Sequence, residues 1–532
     1  MHRLVLFLLA LALTSATAAA QAVTPRPAEG DAAYYFLVAR HLENTGKIDE
    51  AVAALRKAIA LDAGSAELRA ELASMYARQN NAVDALSAAD EALTIDPANR
   101  EANRTLGSIY AALSEQKRPI RPGEDPSTYV TRAIAALERA LGTSRTDLGI
   151  EFTLGRMYAR AGQHDKAITS LARVFEAQPE YPEGGMLLAA SQEVIGKLDD
   201  ATRTLEATLR NNPTFFRAYA KLIDLYEQQR RWKDAAGAYA RARDVNPGAT
   251  ASLAGGHAAA LLNSGEPRQA QEVLQSAMRA TAAPDAGLLY LMAESQRQLK
   301  DYKASSATVQ QLVASFPNDL RGHVMAAQLH VAEGRTAAAI TAYADLVKRA
   351  PGEAAFVYQH AQLLESAGRI KEAEVALRDL LARNPQDANA LNSLGYLFAD
   401  RGERLDEAVD LLQRALKIDP GNPSYLDSLG WAYFKQGRLD QADAPLTDAA
   451  AKSPTNSVIL DHLGDLRLKQ QRFADAVRAW ERALAGDGES IDRAAVEKKL
   501  RDARDKEKLR DARDKEKLRD ARVRTPRSTP AR

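Results

Sequence analysis

Two stretches decide how this chain is read. "NSLGYLFADRGERLDEAVDLL" runs from Asn392 to Leu412, and "DSLGWAYFKQGRLDQADAPL" from Asp427 to Leu446. Each carries Leu-Gly, an aromatic residue, Arg-Leu-Asp, and then a small residue and a leucine, with thirty-five residues between Gly395 and Gly430. A phrase that returns at a fixed spacing marks one structural unit used repeatedly. A unit too small to bury its own apolar face must stack on copies of itself.

Setting Gly430 as position 8 of a 34-residue unit places Leu429 at 7, Tyr433 at 11, Ala442 at 20, Leu446 at 24, Ala449 at 27 and Pro454 at 32. The frame slides along the chain and gives thirteen units, starting near Ala32, Ala66, Arg100, Leu148, Pro182, Phe216, Ala251, Ala286, Leu320, Ala354, Ala388, Pro423 and Ser457. Position 8 is alanine or glycine in twelve, position 20 is alanine in twelve with Ser305 in the other, and proline closes nine. This spacing predicts two antiparallel helices per unit, A and B. Small residues at 8 and 20 fall where the helices cross, since only a small side chain permits close approach. Positions 7 and 11 share one helix face. Proline at 32 stops helix B, having no N–H and disfavouring helix in the residue before it.

The pattern resembles the tetratricopeptide repeat, which carries Leu-Gly at 7 and 8, Tyr at 11, Ala at 20 and 27 and Pro at 32. The resemblance implies an all-α fold, a right-handed superhelical α-solenoid of about thirteen helix-turn-helix units over residues 32–490. It also implies a concave groove for protein or peptide ligands, lined by helix A positions 2, 5, 9 and 12. Those positions hold mostly small or charged residues until the tenth unit. There Tyr358 and Gln362 appear, followed by Asn389, Asn392 and Tyr396, then Asp427, Trp431 and Phe434. Rings offer apolar area at low entropy cost, and amides can pair with a peptide backbone. These eight residues are the expected partner-binding set.

Three segments depart from the frame. In the third unit an insertion at 114–132, with Pro119, Pro122 and Pro126, is expected as an extended loop exposing Lys117, Arg118 and Arg121. In the seventh, Gly255 and Gly256 inside helix A cost ~1 kcal/mol each relative to alanine, and a hinge between two halves is expected over 250–285. Pro445, inside helix B of the twelfth unit, is expected to kink it. After the repeats, 491–522 is expected as a capping and charged helix, with Ile491, Val496 and Leu500 as the cap. Its "KLRDARDKE" block recurs every nine residues, which puts Leu500 and Leu509 on opposite helix faces and excludes a coiled-coil seam. Residues 523–532 read as a disordered basic tail. From 498 onward fifteen Lys/Arg oppose seven Asp/Glu, so this end carries +8 and residues 1–497 carry −7.

Net charge of the whole chain is +1, so no global field points to nucleic acid. The absence of cysteine excludes disulfides, thiolate metal sites and cysteine nucleophiles. The start reads as a signal peptide over 1–20: "MHR", the apolar run Leu4–Leu13 and the small residues "ATAAA", followed by a linker over 21–31. The mature chain is therefore expected to be exported, periplasmic if the source is Gram-negative and otherwise secreted, with membrane contact only through the basic tail.

No glycine-rich phosphate loop, His-Glu-x-x-His or Gly-x-Ser-x-Gly occurs. His323 and His330 occupy positions where the repeat packs large side chains, so no metal site, cofactor or catalytic residue is expected. The segment "LNSLGYLFADRGERLDEAVDLLQRALKIDPGNPSYLDSLGWAYFKQGRLDQA" resembles the last repeats of exported proteobacterial repeat proteins, some of which are adaptors for periplasmic carboxyl-terminal processing proteases. The expected function is a non-catalytic interaction scaffold or adaptor in the cell envelope. Its alternatives are a subunit of an envelope polysaccharide-export or secretion machine, or an adaptor for such a protease.

Overall fold

The computed structural model describes residues 30–116, 119–142, 146–281, 283–488 and 491–524. The expected signal peptide, nearly all of the expected linker, Lys117, Arg118 and the last eight residues of the expected basic tail lie outside them. Among the described residues all regular structure is helical. The chain forms two compact units, Met1–Val273 and Leu274–Arg532.

In the first unit each A helix pairs with the B helix that follows it: α1 (Ala32–Asn44) with α2 (Ile48–Leu61), α3 (Ala66–Arg78) with α4 (Ala82–Ile95), and α5 (Arg100–Gln116) with α6 (Tyr129–Leu141). Then come α7 (Leu148–Arg160) with α8 (His164–Ala177), α9 (Pro182–Val194) with α10 (Leu198–Asn211), and α11 (Phe216–Gln228) with α12 (Trp232–Val245). Next are α13 (Thr250–Asn263) and α14 (Pro267–Ala280), inside which the division falls. The second unit continues with α15 (Ala286–Gln298) and α16 (Tyr302–Ser315), α17 (Leu320–Ala332) and α18 (Thr336–Arg349), α19 (Ala354–Ser366) and α20 (Ile370–Arg383). It ends with α21 (Ala388–Arg401) and α22 (Leu405–Ile418), α23 (Pro423–Lys435) and α24 (Leu439–Lys452), α25 (Ser457–Lys469) and α26 (Phe473–Ala485), and α27 (Arg493–Arg524).

Twelve of the thirteen A helices begin at the residue the frame names, and α13 begins one residue earlier. Every closing proline stands two residues past the end of a B helix, as Pro97 does after Ile95 and Pro454 after Lys452. The alanines at position 20 are sealed, with Ala51, Ala235 and Ala408 all 0 % exposed. Ser305 keeps that place by donating its hydroxyl to the Ala293 carbonyl at 2.8 Å, so the extra polar atom is satisfied inside the hairpin. At position 8 glycine is needed where the facing residue is large. A Cβ on Gly430 would lie 2.5 Å from Leu446 Cγ, and one on Gly464 2.5 Å from Trp480 Nε1.

A left-handed residue ends the A helix in every hairpin but the third. It is usually glycine, as at Gly437 (φ 75°), but Asn80, Arg230, Lys300 and Gln471 also take it. Asn80 aside, side chains there cost roughly 1 kcal/mol, which the packed hairpin absorbs. The eleventh repeat is one residue longer and uses two such positions, Gly402 and Arg404. Arg404 reaches back to Glu374 with two hydrogen bonds of 2.7 and 2.6 Å and lies 3.7 Å over the Phe398 ring. That fork holds the Glu374 carboxyl down to about 2.

One departure resolves differently from expectation. The insertion is not wholly extended, since α5 runs on to Gln116 and a 3-10 turn at Pro126–Thr128 leads into α6. It folds onto the hairpin: Arg121 pairs with Asp90 at 2.8 Å, and the buried Tyr129 accepts from the Ile120 N–H at 3.0 Å while donating to Glu124 at 2.9 Å. Of the glycine pair, Gly255 has open space beside it, but a Cβ on Gly256 would lie 2.2 Å from the Tyr239 hydroxyl. Gly256 therefore serves the packing of α13 on α12. Helix α24 passes through Pro445 as one continuous helix. The cap forms as read, with Val496, Leu500 and Ala503 buried against the last hairpin and Ile491 partly so, while Leu509 is 62 % exposed.

Candidate functional site

The expected partner-binding residues all lie in the second unit, on α19, α21 and α23. The structure divides them into two groups. Asp427 and Trp431 are buried, at 5 % and 8 % exposed. This corrects the reading of Trp431 as an open ring for a partner. Its indole stacks on His462 of α25, with centroids 4.0 Å apart, and on Phe434, at 4.9 Å. Its Nε1 donates to Asp400 at 3.3 Å. Asp427 holds the same histidine, both carboxylate oxygens lying 3.0 Å from His462 Nδ1. Burial opposes the charge on His462, but Asp427 and the nearby Asp461 and Asp465 outweigh it and raise its pKa. The ring filling the place of a ligand thus comes from the next repeat.

The other six remain on the groove face to different extents. Gln362 and Asn389 are exposed, and Tyr358, Asn392, Tyr396 and Phe434 are half-buried. Two of them are tied into the chain. The Tyr358 hydroxyl donates to Asp387, the N-cap of α21, and the Asn389 carboxamide accepts from the Tyr425 hydroxyl at 2.6 Å. Two are not tied. The Asn392 Oδ1 is sealed from solvent without a hydrogen-bond partner. Tyr396, one helical turn on, packs its ring 6.4 Å from His462, and burial followed by Asp400, Asp427 and Glu365 raises its phenol pKa. Acidic groups line the same face. Asp400 follows Tyr396 by one helical turn on α21 and Glu365 adds to the negative field around it, while Lys499 of the cap pairs with Asp461 at 2.9 Å and Asp465 at 2.7 Å.

A second surface was not legible as a site. In the first unit the groove face between α3 and α5 encloses a cavity of about 660 Å³. It is lined by Ser74 and Ala77, at positions 9 and 12 of the second repeat's A helix, by Ser108, at position 9 of the third's, and by Ala112. Arg78, Arg104 and Ile120 of the insertion also line it. Small residues at groove positions carry no anchoring ring, and so they read as empty. In the folded unit they are what leaves room for a side chain from elsewhere. Of the histidines noted in the sequence, His323 bonds the Pro317 carbonyl at 3.0 Å, while the Nδ1 of the half-buried His330 is sealed without a partner.

Comparison with known proteins bears on the family. Sequence profiles described as tetratricopeptide repeat match residues 36–100, 186–250, 290–354, 324–377 and 358–423, and another matches 130–190; together they cover more than half of the chain. A TPR repeat-containing protein of Pseudomonas aeruginosa is 34 % identical over 119 residues, which is 22 % of this chain and 20 % of that protein. Cellulose synthase operon protein C of Pseudomonas fluorescens is 25 % identical over 394 residues, 72 % of this chain and 28 % of that one. The chain thus spans less than a third of the length of either relative. Among solved structures, a tetratricopeptide repeat protein of Parabacteroides merdae aligns with 48 % of this chain and 98 % of its own at a TM-score of 0.41 and 18 % identity. Yeast Tom70 aligns with 90 % of this chain and 96 % of its own at a TM-score of 0.38 and 14 % identity. With its repeat profiles and its hairpins of sealed alanine crossings, the chain belongs to the tetratricopeptide repeat family.

Proposed function

We propose that this protein is a non-catalytic interaction scaffold that holds segments of other polypeptides against the groove face of its A helices. Folds of this family generally serve as scaffolds. The observation that carries the reading is that the side chains of α19 and α21 on this face keep polar ends unspent by the chain's own packing. Gln362 is exposed, Asn392 has an unpartnered carboxamide oxygen, and Tyr396 makes no hydrogen bond among the described residues. A photo-crosslinking residue placed at Gln362 in cells is expected to capture a defined set of polypeptides. The same residue at Val375, which is 57 % exposed on the B helix α20, is expected not to. Replacing Tyr396 with alanine should weaken the capture by about 2 kcal/mol, the loss typical of one aromatic anchor. Equal capture from both positions would remove the groove from the account.

The scaffold acts in the cell envelope on this reading, supported by the charged, apolar and small-residue order of residues 1–20. Amino-terminal sequencing of the mature chain should begin at Gln21. An intact Met1 in the soluble cytoplasmic fraction would overturn it. Among specific roles, the similarity to a cellulose synthase operon protein over 72 % of this chain favours a subunit of a polysaccharide machine over a protease adaptor.

A further inference from the structure

The groove face of α19 and α21 is chemically one-sided. Every polar group it leaves unspent can accept a hydrogen bond, and the carboxylates among them carry negative charge. Glu365, at position 12 of α19, has no hydrogen bond or ion pair among the described residues; burial followed by Asp400 raises its pKa, and the nearby Arg401 opposes that rise. Asp400, on the last turn of α21, uses Oδ1 to accept from Trp431 and keeps Oδ2. Two turns earlier on α21, Asn392 Oδ1 is sealed and unpartnered. The cations nearby are committed elsewhere. Lys435 donates to the Asp400 backbone carbonyl at 2.7 Å and lies 4.9 Å over the Trp431 ring, Arg401 pairs with Glu403 at 3.4 Å, and Lys499 is held by Asp461 and Asp465. His462 is spent on Asp427. Glu365 is a half-buried carboxylate that makes no direct ion pair among the described residues, which is costly and persists where a cation arrives from outside, and Asp400 beyond it is exposed.

We propose that this face takes a cationic segment of a partner polypeptide, with a lysine or arginine side chain seated between Glu365 and Asp400 and a neighbouring side chain against the Tyr396 ring. The proposal rests on the scaffold reading above and names its partner's chemistry. Charge complementarity selects the occupant: an acidic segment would bring like charge against Glu365 and Asp400 at a cost, and an apolar one would leave them unpaired. With A helices of successive repeats roughly 10 Å apart, an extended segment crossing from α19 to α23 needs about six residues.

The test uses the full chain and two fluorescent probes, Lys-Phe-Ser-Lys-Phe-Ser and Glu-Phe-Ser-Glu-Phe-Ser, both with blocked ends. The lysine probe should bind and the glutamate probe should not. The variant Glu365→Gln/Asp400→Asn keeps the shape and the acceptor for Trp431 while removing both charges, and it should weaken the lysine probe about tenfold. Glu372→Gln, which removes an exposed carboxylate paired with Arg369 on α20, should leave binding unchanged. Glu365→Gln alone should also raise the melting temperature or leave it unchanged, because it deletes a desolvated charge without a partner. No binding of the lysine probe, equal binding of both probes, or an unaffected double variant would overturn the proposal. So would a fall in the melting temperature of Glu365→Gln, which would mean that the carboxylate is already paired within the chain. If Gln362 still crosslinks partners while any of these holds, the scaffold stands and the cationic partner does not.

Discussion

Gly464→Ala tests the packing logic of the repeat, because two effects of opposite sign meet at one atom. Alanine is the better helix former, by about 1 kcal/mol in a helix interior. Against that, its Cβ would lie 2.5 Å from Trp480 Nε1, 2.6 Å from Cε2 and 2.8 Å from Cδ1. Comfortable separations begin near 3.5 Å, so the indole must retreat by roughly 1 Å. It has little freedom to do so. Trp480 is 0 % exposed, and its Nε1 donates to Asp461 at 2.7 Å. Asp461 is in turn held by Lys499, so moving the ring also disturbs the joint with α27. Overpacking costs about 1–3 kcal/mol, and stretching a buried hydrogen bond adds about 1 kcal/mol. The net expectation is a loss of about 1–3 kcal/mol. Gly255→Ala is the control, since nothing lies within 4 Å of its Cβ. It should keep only the propensity gain and stabilise by about 1 kcal/mol. Native-state hydrogen exchange of the amides in the substituted hairpin, compared with the parent, reads both. A Gly464→Ala chain as stable as the parent would mean that the crossing is loose, and the argument from contact would fail.

Trp431→Ala, which deletes a buried ring, should destabilise the last repeats by about 3–5 kcal/mol, measurable as an early transition on thermal melting. His462 has a raised pKa, so its charged pairing with Asp427 contributes fully below its unfolded pKa of about 6.5 and is lost as pH rises through the higher folded value. The melting temperature should therefore decline from about pH 6.5 upward, and this decline should flatten in His462→Gln. Deleting residues 506–532 removes the Arg510 hydrogen bond to the Gln471 carbonyl but leaves Val496, Leu500 and Ala503 in place. Melting should shift by less than about 1 kcal/mol; a larger shift would place an unseen contact in that helix. Denaturant unfolding should not be two-state, with the repeat from Ala251 yielding first, and coincident transitions from probes in both units would refute the expected hinge.

Helix boundaries were legible in the sequence because each is set by residues within a few positions of it. A proline at position 32 ends each B helix it follows, although Pro445 inside α24 does not, and a small residue permits a crossing whatever lies farther along. That is why Gly430, Ala442 and Pro454 sufficed to place α23 and α24 within the frame. The cap at Val496 and Leu500 was legible for the same reason, since spacing alone puts both on one face. What each groove position does was decided only by the folded chain. Trp431 occupies a groove position by its number, but the large ring at His462, thirty-one residues on, fills the space a ligand would take. Ser74, Ala77 and Ser108 looked uninformative, and their value as the lining of a pocket appears only when α3 and α5 are side by side with Ile120. Glu365 likewise looks like any surface acid until its neighbourhood supplies no free cation. Secondary structure follows from short-range sterics and hydrogen bonding. The availability of a side chain depends on what packs against it, and in a solenoid that comes from the next repeat along the chain.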